Sequence, residues 1–250
     1  MKYAKKKKIA IWLTSILLVI ALVAGGFTTY VSDYYRADKA AIQAFIKSNS
    51  NIKTTDDGRG MRTYGEENAE CGFVFYPGGK VEYTAYEPLM ISLASKGAFC
   101  VLLKMPFNLA VLDVNAAGGV FEKFPEISSW YIGGHSLGGS MAASYAKSNA
   151  DRLEGVVLLA AYSTQDLSTT NLRVLSIFGS EDKVMNRVKY DECKANLPAN
   201  FIEYKINGGC HAYFGMYGEQ AGDGKPTIAV ADQINKTSDY VTKFIKEGKK

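Results

Sequence analysis

The sequence predicts an α/β domain built on a mostly parallel sheet with helices on both faces. Three observations carry this. Apolar runs of strand length recur from residue 72 onward, stretches of helix-forming residues separate them, and Gly or Pro marks many of the joints. Strands that read as continuous apolar runs are buried on both faces, which a helix-covered parallel sheet provides. At 250 residues, 47% of them hydrophobic and 22% charged, the chain can bury a sizeable core in one domain. The same composition excludes a disordered, collagen-like or disulfide-scaffold chain.

Residues 1–8 form a basic tail. Ile9 to Ser32 are 24 consecutive uncharged residues, beginning IAIWLTSILLVIALVAGG. As a helix rising about 1.5 Å per residue, this run spans a hydrocarbon core of roughly 30 Å. Residues 9–31 are therefore expected to anchor the chain in the cell membrane as a single-pass protein. Lysines precede the run and Asp33 is the first charge after it, so the positive-inside rule puts the tail in the cytoplasm and the rest outside. The other reading is a signal segment cut near Ala24, Gly25 and Gly26, which would secrete the domain. Either way the domain is exported. No cysteine follows the run to carry a lipoprotein anchor.

The net charge of +4 belongs to this tail. Its five lysines set aside, residues 31–250 hold 24 basic and 25 acidic side chains, with no basic face for nucleic acid. Cys71, Cys100, Cys193 and Cys210 show no C-x-x-C spacing and the chain has two histidines, so neither a zinc site nor any cofactor is expected. Two disulfides or four thiols fit the count equally.

Residues 34–48 read as a short amphipathic helix, and IKTTDDGRGMRTY as a hairpin turning at Asp57-Gly58. Residues 32–62 thus form a linker of helix and hairpin leading into a domain at 63–250. GFVFY (72–76) is the first buried strand. A helix is expected over Thr84–Lys96, with Thr84-x-x-Glu87 as a capping box and Gly97 as its stop. FCVLLKM (99–105) is a strand ended by Pro106, and helix-forming residues around 115–124 lead to strand WYIGG (130–134). A helix over Leu137–Ala150, strand VVLLAA (156–161), strand VLSIFG (174–179), a helix over 185–197, strand FIEYKI (201–206) and a closing helix over 227–246 complete the pattern.

Chemistry in such sheets sits in loops at the carboxyl ends of strands. After WYIGG comes Gly134-His135-Ser136-Leu137-Gly138-Gly139, a G-x-S-x-G between a strand and a helix rich in small residues, which is the context a nucleophile elbow needs. A serine hydroxyl needs a base. His135 adjoins Ser136 and is expected to point away and pack beneath the turn. His211, beyond FIEYKI in the loop NGGCHAYFGMYG, is the base candidate. A carboxylate to orient it is expected after VLSIFG, where Asp182 is preferred to Glu181, and to Asp166 beyond VVLLAA. The developing oxyanion needs donors, for which the Leu137 N–H and the Gly79 N–H of Tyr76-Pro77-Gly78-Gly79-Lys80 are chosen, with Lys80 next. The chain order Ser136, Asp182, His211 is that of one group of hydrolases and differs from chymotrypsin and subtilisin.

With these residues in place the chain resembles the α/β-hydrolases, and within them the small bacterial α/β-hydrolase family 5, related to the dienelactone hydrolases. FYPGGKVEYTAYEPL (75–89), LASKGAFCVLLKMPFNLAVLD (93–113), YIGGHSLGGSMAA (131–143), FGSED (178–182) and GGCHAYFGMYG (208–218) carry the resemblance, which covers residues 63–250. It implies the α/β-hydrolase fold, a triad of Ser136, Asp182 and His211, and an esterase-like activity. Cys210 departs from the polar residue, such as Asn, expected before the histidine. Only about a dozen residues (162–173) separate two strands where relatives often insert a lid, so no lid domain fits. The site is expected to be open and rimmed by Ala212–Lys225, suiting a short-chain ester, thioester or lactone, or the end of a polymer. The expected function is an extracytoplasmic serine hydrolase acting through an acyl-enzyme. The alternatives are acyl transfer to an acceptor other than water, and a non-catalytic binding domain on the same fold.

Overall fold

The computed structural model describes residues 2–48 and 51–248, in two units that meet in sequence at Tyr34 and Tyr35. The first is one helix, α1 (Lys2–Ser32), whose residues Lys7–Ser32 have a mean hydropathy of 2.4 and are long and apolar enough to cross a membrane.

The second unit is an eight-stranded sheet between helical layers. In chain order it comprises α2 (Lys39–Lys47), β1 (Thr54–Asp56), β2 (Met61–Tyr64), β3 (Cys71–Tyr76), α3 (Glu87–Ala94), β4 (Phe99–Leu103), α4 (Val120–Lys123), β5 (Ser129–His135) and α5 (Leu137–Ser148). There follow β6 (Gly155–Leu159), β7 (Arg173–Gly179), α6 (Arg187–Cys193), β8 (Ile202–Ile206) and α7 (Val230–Glu247). The spatial order is β1-β2-β4-β3-β5-β6-β7-β8. The hairpin β1–β2 and its pairing with β4 are antiparallel, and every pairing from β4 to β8 is parallel. The chain runs outward from β3 to β4 on one side and crosses back to β5 on the other. The carboxyl ends of β3 and β5 therefore flank the switch point where such sheets open a crevice.

Side-chain alternation sorts the apolar runs into two cores. Phe73 and Phe75 of β3 and Tyr131 of β5 join Leu89 and Met90 of α3 and Ile234, Val241 and Phe244 of α7. Val74 and Tyr76 of β3 and Trp130 and Ile132 of β5 point to the opposite face, against Ala142, Ala143 and Tyr145 of α5. The connection after β6, residues 160–172, contains no helix or strand.

The expected helix over Thr84–Lys96 is shorter, and its capping box does not form. Residues 83–86 make a 3₁₀ turn, the α-helix begins at Glu87 with Pro88 in its first turn, and Thr84 Oγ1 donates instead to Glu82. Glu87 is buried and engaged elsewhere: Arg62 of β2 binds it through one guanidinium nitrogen and donates from Nε to Asp56 Oδ2 at 2.7 Å. Burial raises the Glu87 carboxyl above its ordinary range, and the Arg62 charge opposes that rise. Gly97, at φ +96°, ends the segment as expected. The linker helix spans only 39–47, residues 116–119 form a 3₁₀ turn ahead of α4, and 3₁₀ turns at 150–152 and 194–196 follow α5 and α6. No disulfide joins the four cysteines, and Cys71, Cys100 and Cys210 are buried.

Arg62→Met leaves Glu87 buried without its partner and should destabilise the domain by about 3–5 kcal/mol. Adding Glu87→Gln should recover part of that loss, read as urea midpoints of the single and double variants.

Candidate active site

β5 ends at His135 and α5 begins at Leu137, so Ser136 alone turns the chain from strand to helix. It does so at φ +52°, ψ −121°, a conformation that non-glycine residues rarely adopt. Its N–H donates to Leu159 C=O at 2.9 Å and its C=O accepts from Ser140 N–H at 3.2 Å, tying the turn to β6 and to the first turn of α5. Glycines on either side are a steric requirement. A Cβ at Gly134 would lie 2.5 Å from the Gly138 carbonyl carbon, and one at Gly138 would lie 2.2 Å from the Pro77 oxygen. Ser136 is half-exposed.

The structure joins the expected base and carboxylate. His211 Nδ1 and Asp182 Oδ2 are 2.9 Å apart, with both side chains buried. The other Asp182 oxygen accepts the N–H groups of Val184 and Met185, each at 2.9 Å, which fixes the carboxylate plane. An ionised Asp182 accepts from Nδ1–H, so the free lone pair of the neutral imidazole is on Nε2. Glu181 instead accepts from Ser180 Oγ, and Asp166 from Ser168, so neither competes for His211. Ser136 follows β5, which β6 separates from β7 in the sheet, and no hydrogen bond joins its Oγ to His211 among the described residues. Such contacts are commonly long until substrate is bound.

Gly79 and Leu137 lie against one another, since a Cβ at Gly79 would come within 2.9 Å of Leu137 Cδ2. Within the turn after β3, the Gly78 N–H donates to Tyr86 Oη at 3.1 Å and the Lys80 N–H to Asn108 C=O at 2.8 Å. Pro77 has no N–H. Among the described residues, Gly79 is the one donor of that turn with no protein acceptor. Leu137, at the first position of α5, likewise has no intrahelical acceptor. The Lys80 N–H, the second choice from sequence, is already consumed.

His135 is packed as expected and its partners are now defined. Tyr86 Oη accepts from Gly78 N–H at 3.1 Å and is hydrogen-bonded to His135 Nδ1 at 2.8 Å. His135 Nε2 is buried without a hydrogen-bond partner among the described residues. Its ring centre is 4.5 Å from that of His211. Burial, and then the neighbouring His211, hold the His135 imidazole well below the usual histidine range.

Two residues of this arrangement were not read from sequence. Tyr86 was read simply as part of a helix. Gln233 of α7, fully buried, accepts the Cys210 N–H at 3.0 Å and donates to the Cys210 C=O at 2.8 Å, clamping the backbone next to His211. No local signal distinguishes either one, because each acts across a tertiary contact. Cys210 itself is a buried thiol pushed up to about 12, first by burial and then by the Asp223 carboxylate. A cavity of about 350 Å³ lined by Cys71, Lys96 and Ile245 lies at the amino end of β3, opposite this chemistry.

Tyr86→Phe strands the Gly78 N–H and His135 Nδ1 and should cost roughly 1–3 kcal/mol in urea denaturation. The folded chain holds His135 below the ordinary histidine range, so below about pH 6.5 the unfolded chain takes up the extra proton first. Stability from this group is complete above about pH 6.5 and falls below it by up to about 1.4 kcal/mol per unit. His135→Asn should flatten that part of the curve, seen by comparing urea midpoints at about pH 7 and about pH 5.5.

The profile of the alpha/beta hydrolase family matches residues 72–235. Among solved structures, an alpha/beta hydrolase enzyme, MGS-MChE2, from a sediment metagenome of the lagoon of Mar Chica, Morocco, superposes with a TM-score of 0.58. It is 14% identical over 78% of this chain and 98% of its own. A protein described as a predicted CIB-like hydrolase from Thermoplasma acidophilum gives 0.54 at 14% identity, over 77% and 98% of the two chains. Est1E from Butyrivibrio proteoclasticus gives 0.55 at 13% identity, over 79% and 98%. No curated protein matches the sequence. These structural likenesses establish the fold. With the family profile spanning well over half of the residues, they lead to one conclusion: the chain belongs to the alpha/beta hydrolase family.

Proposed function

We propose that this chain is a membrane-anchored, extracytoplasmic serine hydrolase that cleaves a carboxylic ester, thioester or lactone through an acyl-enzyme. The observation that carries the reading is the buried Asp182–His211 hydrogen bond, on the same carboxyl-end side of the parallel sheet as a serine held in a strained strand-to-helix turn. Ser136 Oγ attacks the carbonyl carbon while His211 Nε2 takes its proton. Asp182, bonded to Nδ1–H, holds the ring and stabilises the imidazolium that forms. The carbonyl oxygen, now negative, receives the N–H groups of Gly79 and Leu137. Collapse of the tetrahedral adduct breaks the bond to the leaving group, which takes the proton from Nε2. Water, deprotonated by His211, then attacks the acyl-serine, and the acid leaves with Oγ–H restored.

The turn after β3 supports the oxyanion role because its other N–H groups are already committed within the protein. Support for the anchor comes from the length and apolarity of Lys7–Ser32, and for the outward-facing domain from the lysines that precede it.

A fluorophosphonate probe should label the full chain at Ser136, located by mass spectrometry, and His211→Ala should abolish the labelling. On a p-nitrophenyl ester, Ser136→Ala and His211→Ala should each lower kcat by about 10³–10⁶-fold, and Asp182→Asn by about 10³–10⁴-fold. Undiminished turnover in Ser136→Ala would refute the mechanism.

A further inference from the structure

The loops that carry Asp182 and His211 are joined in two places, one before the pair and one after it. Before the pair the joint is main chain to main chain. Ser180 N–H donates to Ile206 C=O at 2.9 Å, and Glu181 N–H donates to Gly209 C=O at 2.8 Å. After the pair the joint is a side chain from a third segment. Asp223 Oδ2 accepts the Ala212 N–H at 2.9 Å, and Asp223 Oδ1 accepts the Lys183 N–H at 3.3 Å. The first of these N–H groups belongs to the peptide unit between His211 and Ala212, the second to the unit between Asp182 and Lys183. One carboxylate therefore grips the peptide immediately following each member of the pair.

Asp223 is itself held in place. Its N–H donates to Gln220 C=O at 3.1 Å, after Gly222 at φ +83°, and its Oδ1 also accepts the Gly224 N–H at 2.8 Å. Gly224 passes so close to the Asp182 loop that a Cβ there would lie 1.9 Å from the Glu181 oxygen. Further on, Thr227 N–H donates to Gly208 C=O at 2.9 Å, which fastens the segment to the His211 loop. His211 is thus bracketed. Gln233 fixes the backbone of Cys210 before it, and Asp223 fixes the backbone of Ala212 after it. Only the second bracket also reaches the Asp182 loop.

We infer that Asp223 is a positioning residue for the reaction: it keeps the two loops at the separation that preserves the 2.9 Å hydrogen bond between Asp182 and His211. This rests on the serine-hydrolase reading and deepens it, because the pair that Asp223 holds is the base and the carboxylate of that mechanism. Asp223 acts through His211. A reacting group displaced by about 1 Å costs a rate factor on the order of a hundred, so a support of this kind is felt in kcat.

The test compares the full chain in non-ionic detergent with Asp223→Ala, Asp223→Asn and Glu219→Ala. Turnover of a p-nitrophenyl ester gives kcat and KM. With isotopically labelled histidine, NMR follows the His211 Nδ1–H proton, identified by its loss in His211→Ala. Asp223→Ala should lower kcat by about tenfold to a hundredfold at unchanged KM, and should shift or broaden that proton resonance. Asp223→Asn keeps an oxygen for the Ala212 N–H but turns an amide toward Lys183, so its loss should be intermediate. Glu219→Ala removes an exposed carboxylate of the same segment and should change neither readout. Unchanged kcat and resonance in either Asp223 variant overturn the inference, and so does a rise in KM alone. An equal loss in Glu219→Ala, or no Nδ1–H resonance in the unmodified protein, overturns it too. If Asp223→Ala does not fold, Asp223→Asn decides by the same readouts. If the unmodified protein neither turns over ester nor takes a fluorophosphonate at Ser136, the hydrolase reading fails. The resonance then still reports, by itself, whether Asp223 holds the pair.

Discussion

A serine at positive φ costs about 1–3 kcal/mol, and the centre of the sheet is arranged to sustain that cost. Ser136 must reverse the chain in a single residue, which requires Gly134 and Gly138 to approach as bare backbone and Pro77 to press against Gly138. That contact brings the turn after β3 beside the first turn of α5, and hence Gly79 beside Leu137. The order β4-β3-β5-β6 fixes which strand ends can be neighbours, so the strained turn and the topology are one constraint seen at two scales. The neighbouring strand ends then supply the rest: β7 leads to Asp182, and β8 to His211.

The chain's only two histidines lie with their ring centres 4.5 Å apart and have opposite properties. His211 has an ionisable partner on one nitrogen and its lone pair available on the other. His135 is locked by a neutral tyrosine and buried, so it stays uncharged beside a ring that, in the proposed reaction, must accept a proton. Two adjacent imidazoliums would repel, and a neutral His135 avoids that repulsion. The Gly78–Tyr86–His135 chain of hydrogen bonds thus couples the placement of the turn after β3 to the electrostatic quiet of the site.

Much of this was legible in the chain. The strands announced themselves because a parallel sheet buried on both faces demands unbroken apolar runs, and GFVFY, FCVLL and VVLL are such runs. The Asp57-Gly58 turn and the Gly97 stop were legible for the reason that makes them work, a backbone conformation few residues tolerate. Helix starts were less so. Thr84-x-x-Glu87 has the letters of a capping box, but Arg62, distant in sequence, draws Glu87 into an ion pair that propensity cannot foresee. Asp182 was identified by its position after a strand, and His211 because one other histidine was available. Tyr86 and Gln233 escaped notice because a hydrogen bond to a backbone 8 or 23 residues away leaves no periodic trace in sequence.

The hairpin β1–β2 has a role separate from the chemistry. It covers β4, whose five residues Phe99–Leu103 are all buried. Were residues 54–64 removed, the sheet would end on an unpaired row of Phe-Cys-Val-Leu-Leu, an invitation to cross-β self-templating by any second copy nearby. The two ribs left at the margins discourage such recruitment. β1 is three polar, exposed residues long, and β8 alternates Glu203 and Lys205 outward between its apolar positions. This polar hem leaves neither margin of the sheet with a long apolar edge for a second copy to extend.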